Sequence, residues 1–233
     1  MGLNGYQIGL QRDDQTVELV TRLRFMTADQ VARSLFQGRR RVAARRLQRL
    51  VELERLKAQR LGGASGPMVY WAPPRGFSRA VREALAVSEL YCRLTETRGP
   101  RTELQRFDVE VPHQRIRPDA VIVGAADGKA QAVLLEWDTG STALERVGQK
   151  IPAYEAYAKS GEYRKTGWWK PGLEVAVVMA VPTIRQEPLT ELWRRLSAAL
   201  PPKVVTHNEL LRNPWLIWKG ELSAGNTRPT VPK

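Results

Sequence analysis

Cysteine and histidine are almost missing from this 233-residue chain, which has one cysteine, Cys92, and two histidines, His113 and His207. An internal disulfide is excluded, and no Cys/His cluster exists for a structural zinc. Long apolar runs are missing as well. Residues 1–30 hold Asp13, Asp14, Glu18 and Asp29 with no extended apolar core, so neither a signal peptide nor a membrane helix is expected. These absences point to a reducing cytoplasm.

Acidic residues are in deficit, which leaves a formal net charge of +13. The deficit is uneven. Residues 1–98 carry 18 Lys and Arg against nine Asp and Glu, a net of +9, whereas residues 99–233 carry a net of +4. A basic N-terminal module that binds a polyanion is the expectation, with nucleic acid as the polyanion. Membrane-surface binding is disfavoured because the basic segments lack a broad apolar face. Hydrophobic residues make up 42% of the chain, enough for a packed core in one large domain or two small ones.

The N-terminal part reads as three helices and a hairpin. Leu10 to Leu23 carries an apolar stripe of Leu19, Val20 and Leu23, and Thr27-Ala-Asp-Gln30 fits a capping box opening a short helix from Ala28 to Phe36. Gly38 breaks that helix. A third, about Arg39 to Arg55, places Ala43, Leu47, Leu50 and Val51 on one face. Off that face Arg41, Arg45 and Arg49 are spaced four apart, with Arg39, Arg40 and Arg46 beside them. Forked guanidinium donors suit phosphates and guanine edges, so this is the candidate recognition helix for a DNA major groove. Leu56 to Leu61 and Met68 to Ala72 read as strands joined by Gly62-Gly-Ala-Ser-Gly66. The set predicts a winged helix-turn-helix over residues 1–74.

Pro73-Pro74 marks the boundary, and Ser78 to Thr97 is predicted helical. Leu104 to Val111 alternates as a strand. Ala120-Val-Ile-Val123 and Ala130 to Trp137 read as two buried strands joined at Asp127-Gly128, a two-residue hairpin signal. Asp119 opens the first strand, while Glu136 and Asp138 close the second and share a face, with Trp137 opposite. Three carboxylates meeting there repel one another unless a hard divalent cation neutralises them, so Asp119, Glu136 and Asp138 are the candidate ligands for Mg²⁺ or Mn²⁺. A helix from Thr142 to Lys159 follows, with Lys150, Tyr154 and Tyr157 on one face. Lys150 is the candidate for stabilising a charged transition state, and Tyr154 is an alternative nucleophile or a packing residue.

Further on, Trp168 and Trp169 lie in a basic loop that reads either as a base-stacking platform or, more in keeping with its setting, as cover for a core edge. Leu173 to Val181 is a buried strand, Glu187 to Leu200 a helix, Lys203 to Thr206 a last strand, and Trp215 to Trp218 an added edge. His113 reads as a loop residue with some reach towards the acids. The residues from Ser223 to Lys233 are expected to be a disordered tail. The fold class expected is α/β: the winged unit followed by a domain over residues 75–222 with a central mixed sheet.

Pro118-Asp119 and Glu136-Trp137-Asp138 resemble the "PD" and "(D/E)xK" of the PD-(D/E)xK nuclease superfamily, with one departure. Asp138 stands where the motif lysine belongs, so Lys150 is read as that lysine displaced to the next helix. The segments LRFMTADQVARSLF, RRLQRLVELERLKA, MVYWAPPRG, RPDAVIV, LLEWDTGS and QKIPAYEAY, from Leu10 to Leu200, resemble the replication-relaxation family of plasmids and integrative elements. That family is similar to MobC-type relaxases with a nuclease-like domain. The resemblance implies a restriction-endonuclease-like domain, double-stranded DNA such as a plasmid origin as partner, and roles in plasmid replication, DNA relaxation and mobilisation. Its sharpest form is a metal-dependent nicking endonuclease with Asp119, Glu136, Asp138 and Lys150 as catalytic residues. The alternative is a DNA-binding initiator or regulator whose nuclease-like domain is inactive and serves as scaffold or homodimer interface.

Overall fold

The computed structural model describes residues 5–77, 80–113, 115–197 and 200–218. The expected tail, Ser223 to Lys233, lies outside them. Helix α1 (Gly5–Leu23) leads to strand β1 (Met26–Thr27), helices α2 (Ala28–Leu35) and α3 (Arg40–Glu52), and strands β2 (Lys57–Arg60) and β3 (Met68–Trp71). The capping box forms: Thr27 Oγ1 accepts from Gln30 N at 3.3 Å and Gln30 Oε1 accepts from Thr27 N at 3.0 Å. Such caps contribute about 1 kcal/mol. Gly38, with φ 76°, donates its N–H back to Ala32 O at 2.9 Å, so the left-handed turn that glycine tolerates closes α2. Ala43, Leu47 and Leu50 are fully buried, and β3 pairs antiparallel with both β1 and β2.

Helix α4 (Val81–Glu96) joins this unit to a second sheet. Arg33 of α2 donates to Glu89 at 2.8 Å and to Glu96 at 2.5 and 2.7 Å, Gln30 Nε2 donates to Leu85 O at 3.0 Å, and Ser88 Oγ donates to Phe25 O at 2.8 Å. Together these contacts fix α4 against the N-terminal helices.

The second sheet holds strands β4 (Thr102–Val109), β5 (Ala120–Ala126), β6 (Lys129–Trp137), β7 (Glu174–Val181) and β8 (Val204–Thr206), in that order. β4, β5 and β6 are antiparallel, while β6, β7 and β8 are parallel, so the sheet is mixed. Asp127 and Gly128 both have positive φ, 51° and 82°, the backbone a two-residue hairpin needs, and Ala126 pairs with Lys129 across the turn. Parallel pairing requires a crossover, and helices α5 (Leu144–Gly148) and α6 (Lys150–Ser160) supply it between β6 and β7. Helix α7 (Thr183–Leu196) connects β7 to β8, and α8 (His207–Arg212) follows.

Alternation along each strand splits the sheet between two cores. Ala120, Ile122, Leu135, Trp137, Val178 and Ala180 pack with the buried residues of α1 to α4 in one continuous interior. Val121, Val123, Leu134, Val177 and Met179 pack under α5, α6 and α7 through Val147, Ile151, Tyr154, Leu189 and Trp193. No described helix is long and apolar enough to cross a membrane.

Three expectations need correction. The single helix from Thr142 to Lys159 is two, parted at Gln149. Pro152 has no N–H to give the carbonyl of Gly148, and a new helix starting at Lys150 puts that proline in its first turn, where no donor is needed. Trp215 to Trp218 form a 3-10 helix rather than a strand edge. Its indoles are spent on tertiary bonds, Trp215 Nε1 to Thr97 O at 3.1 Å and Trp218 Nε1 to Gln131 O at 3.2 Å. Helix α7 starts at Thr183, ahead of Glu187, and carries Pro188 within it.

Candidate functional site

The C-terminal end of β6 meets the start of β5, because Ala120 pairs with Leu135 and Asp119 N donates to Leu135 O at 2.9 Å. Asp119 lies just beyond that pair, and its Oδ2 accepts from Trp137 N at 2.6 Å. The backbone thus pins one oxygen of the acid to the neighbouring strand. Burial, then the charges of Glu136 and Glu83, push the Asp119 carboxyl up to about 8.

Glu136 points to the side of the sheet covered by α5, α6 and α7 and is 4% exposed. Lys150 Nζ donates to its Oε2 at 2.5 Å, and the Tyr154 hydroxyl donates to its Oε1. Both donors come from one face of α6, at i and i+4. Burial alone lowers the Lys150 ammonium, but Glu136, Asp119 and Glu83 together hold it above its ordinary value. Burial and the Glu136 charge also drive the Tyr154 phenol upward. Tyr154 is thus a hydrogen-bond donor to Glu136.

Asp138 lies one residue past the strand. Its Oδ1 accepts from Gly140 N at 2.9 Å and its Oδ2 from Arg185 Nη1 at 2.7 Å. The expected meeting of Asp119, Glu136 and Asp138 is therefore not what the chain does. Among the described residues no group of three or more His, Cys, Asp or Glu is placed to hold a metal. The cause is local: β6 ends at Trp137, the chain turns at Gly140 with φ 84°, and the guanidinium of α7 draws Asp138 to itself. The donor chemistry still fits a hard divalent cation at Asp119 and Glu136: the two offer hard carboxylate oxygens side by side, and Asp119 is raised first by burial and then by the charges of Glu136 and Glu83.

A cleft of about 260 Å³ opens at this end of the sheet, lined among others by Glu136, Asp138, Arg146 and Lys150. Glu83 of α4 stands on its wall, its carboxyl raised chiefly by burial and held back by Lys150. Glu83 and Arg185 escaped the reading of the sequence. Each has a weak signal in hindsight: Glu83 sits between Val81 and Ala84 on a buried stretch, and Arg185 lies in the first turn of the helix after β7.

His113 is not in the cleft. It packs against Tyr157 and Trp168, with ring centroids 6.3 and 6.0 Å away. Trp168 is buried and Trp169 Nε1 donates to Leu173 O at 3.2 Å, so the tryptophan pair covers a core edge. Arg39, just ahead of α3, and Arg40, Arg41, Arg45 and Arg49 on it are exposed. Arg46 differs: its Nη1 lies 3.3 Å from Oδ2 of the buried Asp13 of α1.

Residues 75–170 match the model of the replication-relaxation family. The match is narrower than the span from Leu10 to Leu200 read from the sequence. No curated protein matches the chain. Two solved structures of the restriction endonuclease FokI, one bound to DNA, are similar to it at 11% and 12% identity, with TM-scores of 0.33 and 0.41. They cover 93% and 91% of this chain, and the chain spans 46% and 44% of FokI, less than half its length. A similarity this distant says nothing of activity.

Proposed function

We propose that this chain, whose residues 75–170 match the model of the replication-relaxation family, binds double-stranded DNA through its N-terminal unit and nicks it at the cleft beside the end of β6. Residues 1–74 read as a winged helix, with α3 as recognition helix and β2 and β3 as the wing. Residues 75–222 read as a nuclease-like domain acting on DNA in plasmid replication or mobilisation. The observation that carries the catalytic half is Glu136, buried and held between Lys150 and Tyr154 on the same side of the sheet as Asp119.

Asp119 and Glu136 are the residues that would hold Mg²⁺ or Mn²⁺. Such an ion, when bound, supplies positive charge for a phosphodiester and lowers the pKa of a bound water. The chain's own residues do the rest. Lys150 presents an ammonium on the cleft wall, where it offsets charge developing on a phosphate. Tyr154 orients Glu136, and Arg185 fixes Asp138, which serves to shape the cleft. The test is incubation of supercoiled plasmid with the protein and Mg²⁺ or Mn²⁺, scored for open circles. Equal nicking by wild type and Glu136→Ala sinks the catalytic reading.

A second reading rests on the absence, among the described residues, of a group of three acids placed for a metal. In it the cleft is inactive and the chain is a DNA-binding initiator or regulator. Calorimetric titration of Mn²⁺ separates the two, since only the first requires binding that Asp119→Ala abolishes.

A further inference from the structure

Arginines from three separate stretches lie where the N-terminal unit meets the second sheet, two of them paired with one acid. Arg24 lies in the turn between α1 and β1, Arg75 follows β3, and Arg117 stands two residues before Asp119. The Glu110 carboxylate pairs with Arg24 and accepts from Arg117 Nη2 at 2.8 Å. Burial disfavours the Arg75 guanidinium, and the charge of Arg117 adds to that. Two guanidiniums thus share one carboxylate.

The guanidinium donors are not all used. Arg24 Nε and Arg75 Nη1 are buried and have no acceptor among the described residues. A buried charged donor without an acceptor is costly, so it signals a group that belongs there. The backbone gives an independent sign. Arg24 and Glu110 both have left-handed φ, 74° and 48°, which side chains of this size rarely adopt and which clusters at functional contacts. Glu110 N also donates to Asp119 O at 3.0 Å, so this seam is one hydrogen bond from the acid at the head of β5.

We propose that Arg24, Arg75 and Arg117 form a phosphate site that takes a backbone phosphate of bound DNA, with Glu110 occupying the arginines until that phosphate displaces it. The proposal rests on the DNA-binding reading above. It adds a contact that belongs to neither α3 nor the cleft, set between them by the fold. Forked arginine donors and an excess of positive charge favour a phosphate over a carboxylate.

The test is fluorescence anisotropy of the full chain on a labelled duplex across a salt series, for wild type, Arg75→Gln, Arg117→Gln, Glu110→Gln and the Arg41/Arg45/Arg49→Ala variant. Inorganic phosphate is titrated calorimetrically in parallel. Arg117 is largely exposed, so its variant keeps the fold. Arg75→Gln and Arg117→Gln should each weaken binding several-fold and reduce the magnitude of the salt slope by about one. Glu110→Gln should strengthen binding and steepen the slope, and the double variant Glu110→Gln/Arg75→Gln should lose that gain, which mere removal of a negative charge would leave in place. If Glu110→Gln leaves affinity unchanged or lowers it, the cluster is a structural tie and the proposal is wrong. If both arginine variants keep the wild-type slope while the α3 variant loses it, the seam carries no DNA phosphate and the DNA-binding reading stands. If wild type binds no duplex, the DNA-binding reading fails and the seam's DNA source fails with it. Phosphate binding lost in Arg75→Gln would then mark a site for free phosphate.

Discussion

Lys150 donates to Glu136 across 2.5 Å, a lysine on the helix after the strand serving the carboxylate that a motif lysine two residues along would otherwise flank. Replacing it by Met leaves Glu136 with Tyr154 as its remaining partner. Half of the Lys150 side chain is exposed, so solvent screens the pair and the cost is modest, about 1 kcal/mol. Urea unfolding should show that loss, while nicking of supercoiled plasmid should fall by at least tenfold and duplex affinity should hold. A variant that nicks as well as wild type would take Lys150 out of the chemistry.

The Asp119 carboxyl gives stability a pH signature. Its folded pKa of about 8 lies above the ordinary carboxyl value, so the folded chain binds a proton that the unfolded chain has lost. That contribution is complete below about pH 4 and disappears as pH rises to 8, so stability from this group falls across the interval. Melting temperature measured from pH 5 to 8 should therefore slope downward more steeply in wild type than in Asp119→Asn. Saturating Mn²⁺ should flatten the wild-type slope by replacing the proton. The same slope in both proteins would show that Asp119 titrates normally.

Lys203 produces the opposite trend at alkaline pH. Burial, helped by Lys129, lowers its ammonium to about 8, and its Nζ donates to Ile217 O. A lysine depressed in the folded state is protonated more fully in the unfolded one between pH 8 and its ordinary value near 10.5. Stability from this group therefore rises with pH over that window. Lys203→Met should remove the rise, and thermal melts at pH 8, 9 and 10 measure it.

Arginines on one helix should divide by role. Arg41→Ala, Arg45→Ala and Arg49→Ala combined should reduce the salt slope of DNA binding by up to about three and leave the melting temperature unchanged. Arg46→Ala should act on folding, because it strands the carboxylate of Asp13 in the core. Arg46 is itself partly exposed, so the expected loss is about 1–2 kcal/mol rather than that of a fully buried pair. Anisotropy and chemical denaturation on the same preparations separate the two effects.

Local signals were legible where local chemistry decides. Thr27 and Gln30 announce the start of α2, Asp127-Gly128 announces a hairpin, and the unbroken apolar, β-branched run from Ala120 to Val123 announces a strand with two buried faces. The place of Glu136 near the end of a buried strand was also legible. What Asp138 would bond to was not. Its partner, Arg185, comes from α7 across a crossover, and no spacing rule joins residues that only packing brings together. Glu83 was hidden for the same reason, as an acid on a helix whose apolar pattern pointed to the core. The break at Gln149 was within reach, since Pro152 stands in plain view and leaves the carbonyl of Gly148 without its helical donor.

The interior that runs without interruption from Leu19 and Leu47 through Leu90 to Ile122 and Val178 bears on how such a protein can be rearranged. A DNA-reading unit joined by a supple tether can be exchanged like a cassette, its specificity transplanted without disturbing its neighbour. Here the apolar surface that would be the tail end of one cassette is the floor of the other. Grafting residues 1–74 elsewhere would strip α1 from β4 and α2 from α4, and, on the proposed reading, new specificity has to be written into the exposed face of α3 in place.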